Sequence, residues 1–421
     1  MADNRVRQTD RIMVSYRDIF LVFQRIGWLS FGGPAAQIAL MHSELVEKRS
    51  WLSEGQYLRA LSLCMLLPGP EAMQLATYAG WRLRGLPGGL IAGGLFVLPG
   101  ALVIAALAAA YVAWGQLPLV QAAFLGIKAA VLIIVIEALL RVSRRALKGP
   151  AHRLIALAAF VAIAMFGIAF PLVILIAAAT GALCLAAKAE LTPASSPTAG
   201  LWLFLPGIPV WLAPVGMVWL AGSEFLTALG LFFAKLAIVT FGGAYAVLTY
   251  MTQTVVQDLG WLTTGQMIDA LGLAETTPGP LILVTEFVAW LAGDAQGGTA
   301  MAAIAAALCL WVTFVPSFLF IFALAPSIDW IAGRPRLAAA LEGVTAAVVG
   351  VIGTLALWFG AQVLFGGQTI AVGALRLPDP GALDWRAALI AAGAGLAMLR
   401  FHAGLVPVLA ASALAGLLIA G

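Results

Sequence analysis

Apolar runs of about twenty residues follow one another along almost the whole chain, separated by short polar turns. A run of that length forms a helix that spans a hydrocarbon core about 30 Å thick. The pattern predicts thirteen helices. Six lie near 18–40, 57–80, 88–113, 117–140, 152–169 and 171–188. A polar segment, KAELTPASSPTAG, runs from Lys188 to Gly200, and an extra helix follows near 201–221. Six more lie near 226–250, 266–291, 299–325, 337–363, 385–400 and 402–420. The pairs with very short turns, 152–188 and 385–420, carry the weakest signal. The expected fold is therefore an all-α polytopic membrane protein.

The second half of the chain restates the first. FGGPAAQIALMHSELVEKRSWLSEGQYLRALSLCMLLPGP, Phe31 to Pro70, aligns with FGGAYAVLTYMTQTVVQDLGWLTTGQMIDALGLAETTPGP, Phe241 to Pro280, and 16 of the 40 aligned positions are identical. The offset is 210 residues (241 − 31) and becomes 217 further on, where Pro99 matches Pro316 and Ala129-Ala130-Val131 matches Ala346-Ala347-Val348. The predicted organisation is a cytoplasmic segment 1–17, a first repeat 18–188, a linker with the extra helix 189–225, and a second repeat 226–421. Seven helices separate corresponding points of the copies, and an odd number turns the second copy over. Inverted repeats of this kind place a substrate site near the bilayer midplane between them. Packing alone is the competing explanation, and it accounts better for GGLIAGG, Gly88 to Gly94.

Composition agrees: 62% of residues are hydrophobic and 10% charged, against about 25% charged in a soluble domain. Mean hydropathy is +1.02. With the N-terminus in the cytoplasm, fifteen basic residues fall inside, among them Arg17, Arg82, Arg84, Arg141 and Arg144. Only Lys48, Arg49, Arg376 and Arg386 fall outside, which gives a positive-inside bias and a periplasmic C-terminus. No secretory leader is expected, because the basic first 17 residues precede no short apolar region with a cleavage site. Cys64, Cys184 and Cys309 sit in apolar segments and read as inert packing.

Pro68, Gly69 and Pro70 interrupt the predicted span 57–80, and Pro278, Gly279 and Pro280 interrupt 266–291. Proline removes an amide donor and clashes with the preceding turn, so two prolines around a glycine break a helix. Each break starts a half-helix, at about Glu71 and about Leu281, whose free N–H groups suit an anion. A full crossing through each break is the preferred course, and a re-entrant one is the alternative. The pairs Gly32–Gly33 and Gly242–Gly243 permit close backbone approach or a second break.

Ionisable residues inside spans are costly and mark function. Arg25 and Lys235 are equivalent (25 + 210 = 235), and a symmetric pair of cations fits a dianion. Snorkelling to an interface is the bland alternative. Lys128 lies mid-span in 117–140. Glu71, Glu275 and Glu286 are candidates for proton coupling or for balancing a cation, and Glu137 is a fourth intramembrane acid. His42, His152 and His402 are isolated, with no HExxH motif and no phosphate-binding loop. No cofactor, metal, catalytic residue or nucleic-acid partner is expected. An intramembrane enzyme is disfavoured, and a channel is a further reading because broken helices also line pores.

FQRIGWLSFGGP, LLPGPEAMQLATYAGWRLRG, FVLPG, FAKLAIVTFGGAYAVL and AETTPGPLILVTEFVAW resemble the chromate ion transporter family in its long, two-domain form. The resemblance runs from about Arg17 to the last helices and is weakest in the linker. Members mostly carry FGGGYA in the second half, where this chain has Ala244. The resemblance implies an inner-membrane secondary transporter that exports chromate from the cytoplasm, driven by protons or by exchange with sulfate. A carrier of sulfate or another oxyanion is the runner-up. A homodimer is left open.

Overall fold

Helix starts in the two halves are built alike. Ser15 accepts from the amide of Asp18 and caps the first helix, and Ser223 caps its counterpart from the amide of Leu226. Ser53 with Gln56, and Thr263 with Gln266, form reciprocal capping boxes 210 residues apart. The structure, a computed structural model, describes residues 14–31, 33–185, 198–240, 244–327, 335–372 and 375–420.

In the first half α1 (Tyr16–Leu29), α2 (Gly33–His42) and α3 (Glu54–Leu66) precede the long α4 (Glu71–Trp114) and α5 (Pro118–Ala146). The shorter α6 (Pro150–Ala164) and α7 (Phe170–Cys184) follow, then the connecting α8 (Thr198–Leu220). The second half repeats the order: α9 (Glu224–Val239), α10 (Ala244–Thr252), α11 (Thr264–Thr276), α12 (Val284–Leu324) and α13 (Pro335–Phe365). It closes with α14 (Trp385–Gly395) and α15 (Leu405–Ala420). Single π-helical turns extend α2 and α10, at Ser43–Glu47 and Gln253–Asp258. A small antiparallel ribbon, β1 (Thr369–Val372) and β2 (Leu375–Pro378), is the one non-helical element among the described residues, and the hydrophobic pattern did not indicate it. Among the described residues, four stretches are long and apolar enough to cross a membrane: Glu71–Trp114, Pro118–Ala146, Leu281–Leu324 and Arg336–Phe365.

α4 is two helices in one. Arg84 and Gly85 leave helical geometry, Gly85 with φ 63°. Gly80 then abuts Gly88, and Gly93 abuts Thr77, so the chain doubles back at this point. α12 does the same at Gly297–Gly298, where Gly293 lies against Ala302. The returning arms of α4 and α12 pack antiparallel, with Phe322 on Gly89 and Phe318 on Gly93.

These reversals correct the preferred course through 57–80 and 266–291. Tyr111, near the end of α4, hydrogen-bonds Asp269 in α11 and packs on Phe287 in α12 at 5.4 Å. The two arms around Pro278–Pro280 therefore lie toward the same end of the bundle. Phe225 at the start of α9 lies 5.7 Å from Trp261, which follows α10, so α9 and α10 share that end as well. The segments enter, reverse and return. The physical reason is length and backbone: α3 and α11 have 13 residues each, about 20 Å at 1.5 Å per residue. Gly69 at φ 115° and Gly279 at φ 93° occupy the left-handed region that lets the chain turn sharply.

Small residues knit the halves together. Gly181 of α7 meets Gly343 of α13, and Gly350 meets Ala156 of α6. On the other side Gly126 of α5 meets the Ser412 carbonyl, and Gly416 meets that of Ala122. The final hairpin of each half thus rests on the long helix of the other, with the close backbone approach that small residues allow between membrane helices. Cys64 and Cys309 are buried and Cys184 exposed, all as free thiols.

Candidate functional site

The two Pro-Gly-Pro turns meet at the centre of the bundle, and each is held by the opposite half. The amide of Gly69 donates to the carbonyl of Thr240, at the break after α9, at 2.8 Å. The amide of Gly279 donates to the carbonyl of Ser30, at the break after α1, at 2.9 Å. Gly69 abuts the Ser317 side chain, and Gly279 abuts Gly100 (100 + 217 = 317), so each turn also sits on the other half's long helix. Ser30 and Thr240 release those carbonyls in the same way: their hydroxyls bond Ile26 and Leu236, both at 2.6 Å.

Between the turns lies a cleft lined by Pro34, Gln37, Pro70, Glu71, Ala72, Thr240, Pro280, Leu281 and Ile282. It combines the N-terminus of α4 with that of the helical turn leading into α12. Neither Pro70 nor Pro280 caps its helix with a side chain, and the first intrahelical amides are those of Gln74 and Leu283. The preceding amides have no intrahelical partners, as at any helix start, and the aligned dipoles make the region favourable for an anion. The cleft leaves about 20 Å³ for the centre of a water-sized sphere, room for about one water and too little for a tetrahedral oxyanion. A polyatomic ligand enters only if the turns move apart.

Two glutamines tie the arrangement together, and the sequence did not single them out. Gln37 donates to Gly279 O at 2.7 Å and to Ser30 O at 3.1 Å. Gln74 donates to Pro68 O at 2.6 Å. Both are buried, and the matching positions are Val247 and Val284. A polar residue in one copy against valine in the other was the available signal.

The remaining candidates divide. Pro68, Gly69, Pro70, Glu71, Pro278, Gly279 and Pro280 are all at the crossing. Gly33, at φ 75°, opens α2 beside it, and Gly32, Gly242 and Gly243 lie outside the described residues. Arg25 and Lys235 are exposed and do not line the cleft; the Lys235 ammonium sits over the Tyr250 ring at 5.6 Å. Lys128 is paired with Asp269 at 2.9 Å. Asp269 was also missed, although it stands where the first copy has Arg59, a reversal of charge in the aligned sequence. Glu275 and Glu286 are buried, and Oε2 of Glu286 has no hydrogen-bond partner among the described residues. Glu137 pairs with Arg141 on its own helix.

The family model described as chromate transporter matches twice, over residues 17–182 and 227–417. The chain is 32% identical over 379 residues to a probable chromate transport protein of Synechococcus elongatus, covering 86% of this chain and 89% of that one. It is 31% identical over 357 residues to a chromate transport protein of Pseudomonas aeruginosa, covering 81% and 80%. It is 31% identical over 350 residues to one from Cupriavidus metallidurans, covering 80% of each. No solved structure matches.

Proposed function

The chain belongs to the chromate transporter family, a family of multi-pass membrane proteins, and on that premise we propose that it is a secondary active carrier exporting chromate across the inner membrane. One observation carries the location of the site: two uncapped half-helix starts, Pro70–Ala72 and Pro280–Ile282, converge on one cleft. A tetrahedral dianion is bound there by backbone donors from both halves when the turns separate. Gly32, Gly33, Gly242 and Gly243 let the backbone close around it. Arg25 and Lys235 lie five residues before Ser30 and Thr240 (30 − 25 and 240 − 235), and they draw the anion toward the crossing by charge. Glu71, at the cleft, and the buried Glu275 and Glu286 are the groups through which protons couple to export.

Two repeats, 18–188 and 226–421, are inserted in opposite senses in this reading. The antiparallel packing of α4 and α12 supports it, as does α8, which runs antiparallel to the returning arm of α12. Trp211 Nε1 there donates to Val312 O at 2.8 Å, and Gly207 lies on Leu319. The N-terminus is cytoplasmic and the C-terminus periplasmic. The re-entrant course brings Lys48 and Arg49 to the cytoplasmic end too, which strengthens the positive-inside bias.

Labelled chromate uptake into inverted vesicles, with a pH gradient imposed and then collapsed, tests this function. Uptake that follows the gradient is the expected result. Uptake of labelled sulfate without chromate would reassign the substrate to another oxyanion, and flux that does not saturate would replace the carrier with a channel.

A further inference from the structure

α11 is the inbound arm of the second Pro-Gly-Pro hairpin, and it carries a buried acid. Asp269 is 2% exposed. Its Oδ1 lies 2.9 Å from Lys128 Nζ on α5, and its Oδ2 accepts from the Tyr111 hydroxyl on α4 at 2.7 Å. Hairpin and partners thus come from different halves. Tyr111 is itself fixed edge-on between Phe124 at 5.5 Å and Phe287 at 5.4 Å. The bond is made about two and a half turns from Pro278, well away from the turn that Ser30 and Gly100 hold. It therefore controls the outer part of the arm, independently of the cleft.

The matching positions of the other half carry different chemistry. Asp269 corresponds to Arg59 (59 + 210), which is exposed, and Lys128 to Thr345 (128 + 217), whose hydroxyl bonds Leu341 O at 2.8 Å. The sequence repeat is symmetric at the turns and asymmetric here. A charge pair inside a bilayer is costly, and removing one partner leaves the other charge uncompensated. Such a pair is a two-position element: closed when made, open when each group is hydrated.

We propose that Lys128, Asp269 and Tyr111 form a latch that holds the second hairpin shut, and that the protein opens at the end of the bundle where α4 terminates by breaking it. The proposal rests on the carrier reading, in which the hairpins move. Lys128 is then a positioning residue for the hairpin in the closed form. Its side chain is 20% exposed, so it is within reach of water as the pair separates.

The test uses the full chain in lipid nanodiscs with Cys64, Cys184 and Cys309 replaced by alanine and one reporter, Leu273→Cys. Leu273 lies one turn beyond Asp269 on the same face of α11 and is 9% exposed. Alkylation by a charged maleimide is slow in the parent. In Asp269→Asn or Lys128→Met it should rise about tenfold or more, the size of a modest population shift. The exchanged pair, Lys128→Asp with Asp269→Lys, should return toward the parent rate. A second reporter, Leu63→Cys, occupies the matching position of the first hairpin (273 − 210 = 63) and should stay slow throughout. Unchanged labelling in the single variants, an exchanged pair as fast as either, or equal acceleration at both reporters would overturn the latch. Labelling needs no chromate, so a failed substrate assignment, read by chromate uptake in the same samples, is a separate outcome.

Discussion

The amide of Gly279 donates to the carbonyl of Ser30 at 2.9 Å, joining the turn of one half to the broken helix of the other. Gly69 and Thr240 make the same bond in reverse at 2.8 Å. Glycine is required at both turns because φ is 93° and 115°. A side chain at Gly279 would also press on Leu283 and Gly100, and one at Gly69 on Ser317 and Gln74. Gly279→Ala and Gly69→Ala should each destabilise by more than the roughly 1–2 kcal/mol that left-handed backbone costs an L-residue. Thermal unfolding in detergent, beside chromate uptake, measures both effects.

Gln37 holds the crossing through two carbonyls, those of Ser30 and Gly279. Gln37→Leu keeps the volume and removes the donors. The buried carbonyls lose a partner, and the cost should be about 1–3 kcal/mol. Gln37→Glu, which retains the shape but brings no amide donor, should fare no better. Equal stability of the wild type and Gln37→Leu would contradict the bonding described.

The apolar runs covered most of the helical residues, including the weakly signalled pairs that became α6–α7 and α14–α15, but the predicted spans 18–40, 57–80, 226–250 and 266–291 are each two helices separated by a break. They did not reveal the re-entrant course. A broken crossing and two half-length arms have the same composition, and hydropathy is blind to direction. What decides is the φ of Gly69 and Gly279 together with the hidden turns at Arg84–Gly85 and Gly297–Gly298. The crossing itself was legible, because Pro-Gly-Pro states its own chemistry. Gln37 and Asp269 were not, since each acts on a partner from the other half, and Gln74 was not, since its bond to the Pro68 carbonyl exists only once the turn has formed. Arg25 and Lys235 read as a matched pair in sequence and lie on exposed faces in the fold.

The interlock of the halves depends on glycine. Gly343 faces the backbone of Gly181 and Ala177. Gly343→Leu should force α7 away from α13 and cost about 1–3 kcal/mol, the usual range for overpacking. Gly94→Leu, at a position where a side chain meets open space, is the matched control and should unfold like the wild type.

Glu44, in the polar turn after α2, is buried and gripped by Lys48 at 2.7 Å and by Arg49. The Lys48 hydrogen bond, reinforced by Arg49, holds its carboxyl below the ordinary value of 4.5 despite partial desolvation. A carboxylate stabilised in the fold contributes above its unfolded pKa and loses that contribution as pH falls through the folded value. Glu44→Gln should therefore be less stable than wild type at neutral pH, by about 1–2 kcal/mol for a charge-assisted bond. The gap should close as pH drops below 4.5. Unfolding midpoints across pH 3 to 7, read on both proteins, check the sign.

Binding of labelled chromate to the purified chain by equilibrium dialysis tests the central claim most directly, with Ala72→Leu as the decisive variant. Ala72 lines the cleft and is 2% exposed, so leucine fills the space between the two half-helix starts. The account predicts saturable binding to the wild type and to Gly94→Leu, and a loss of at least about tenfold in affinity, about 1.4 kcal/mol, in Ala72→Leu. Undiminished binding by a folded Ala72→Leu would place the anion somewhere other than the crossing of the two Pro-Gly-Pro turns.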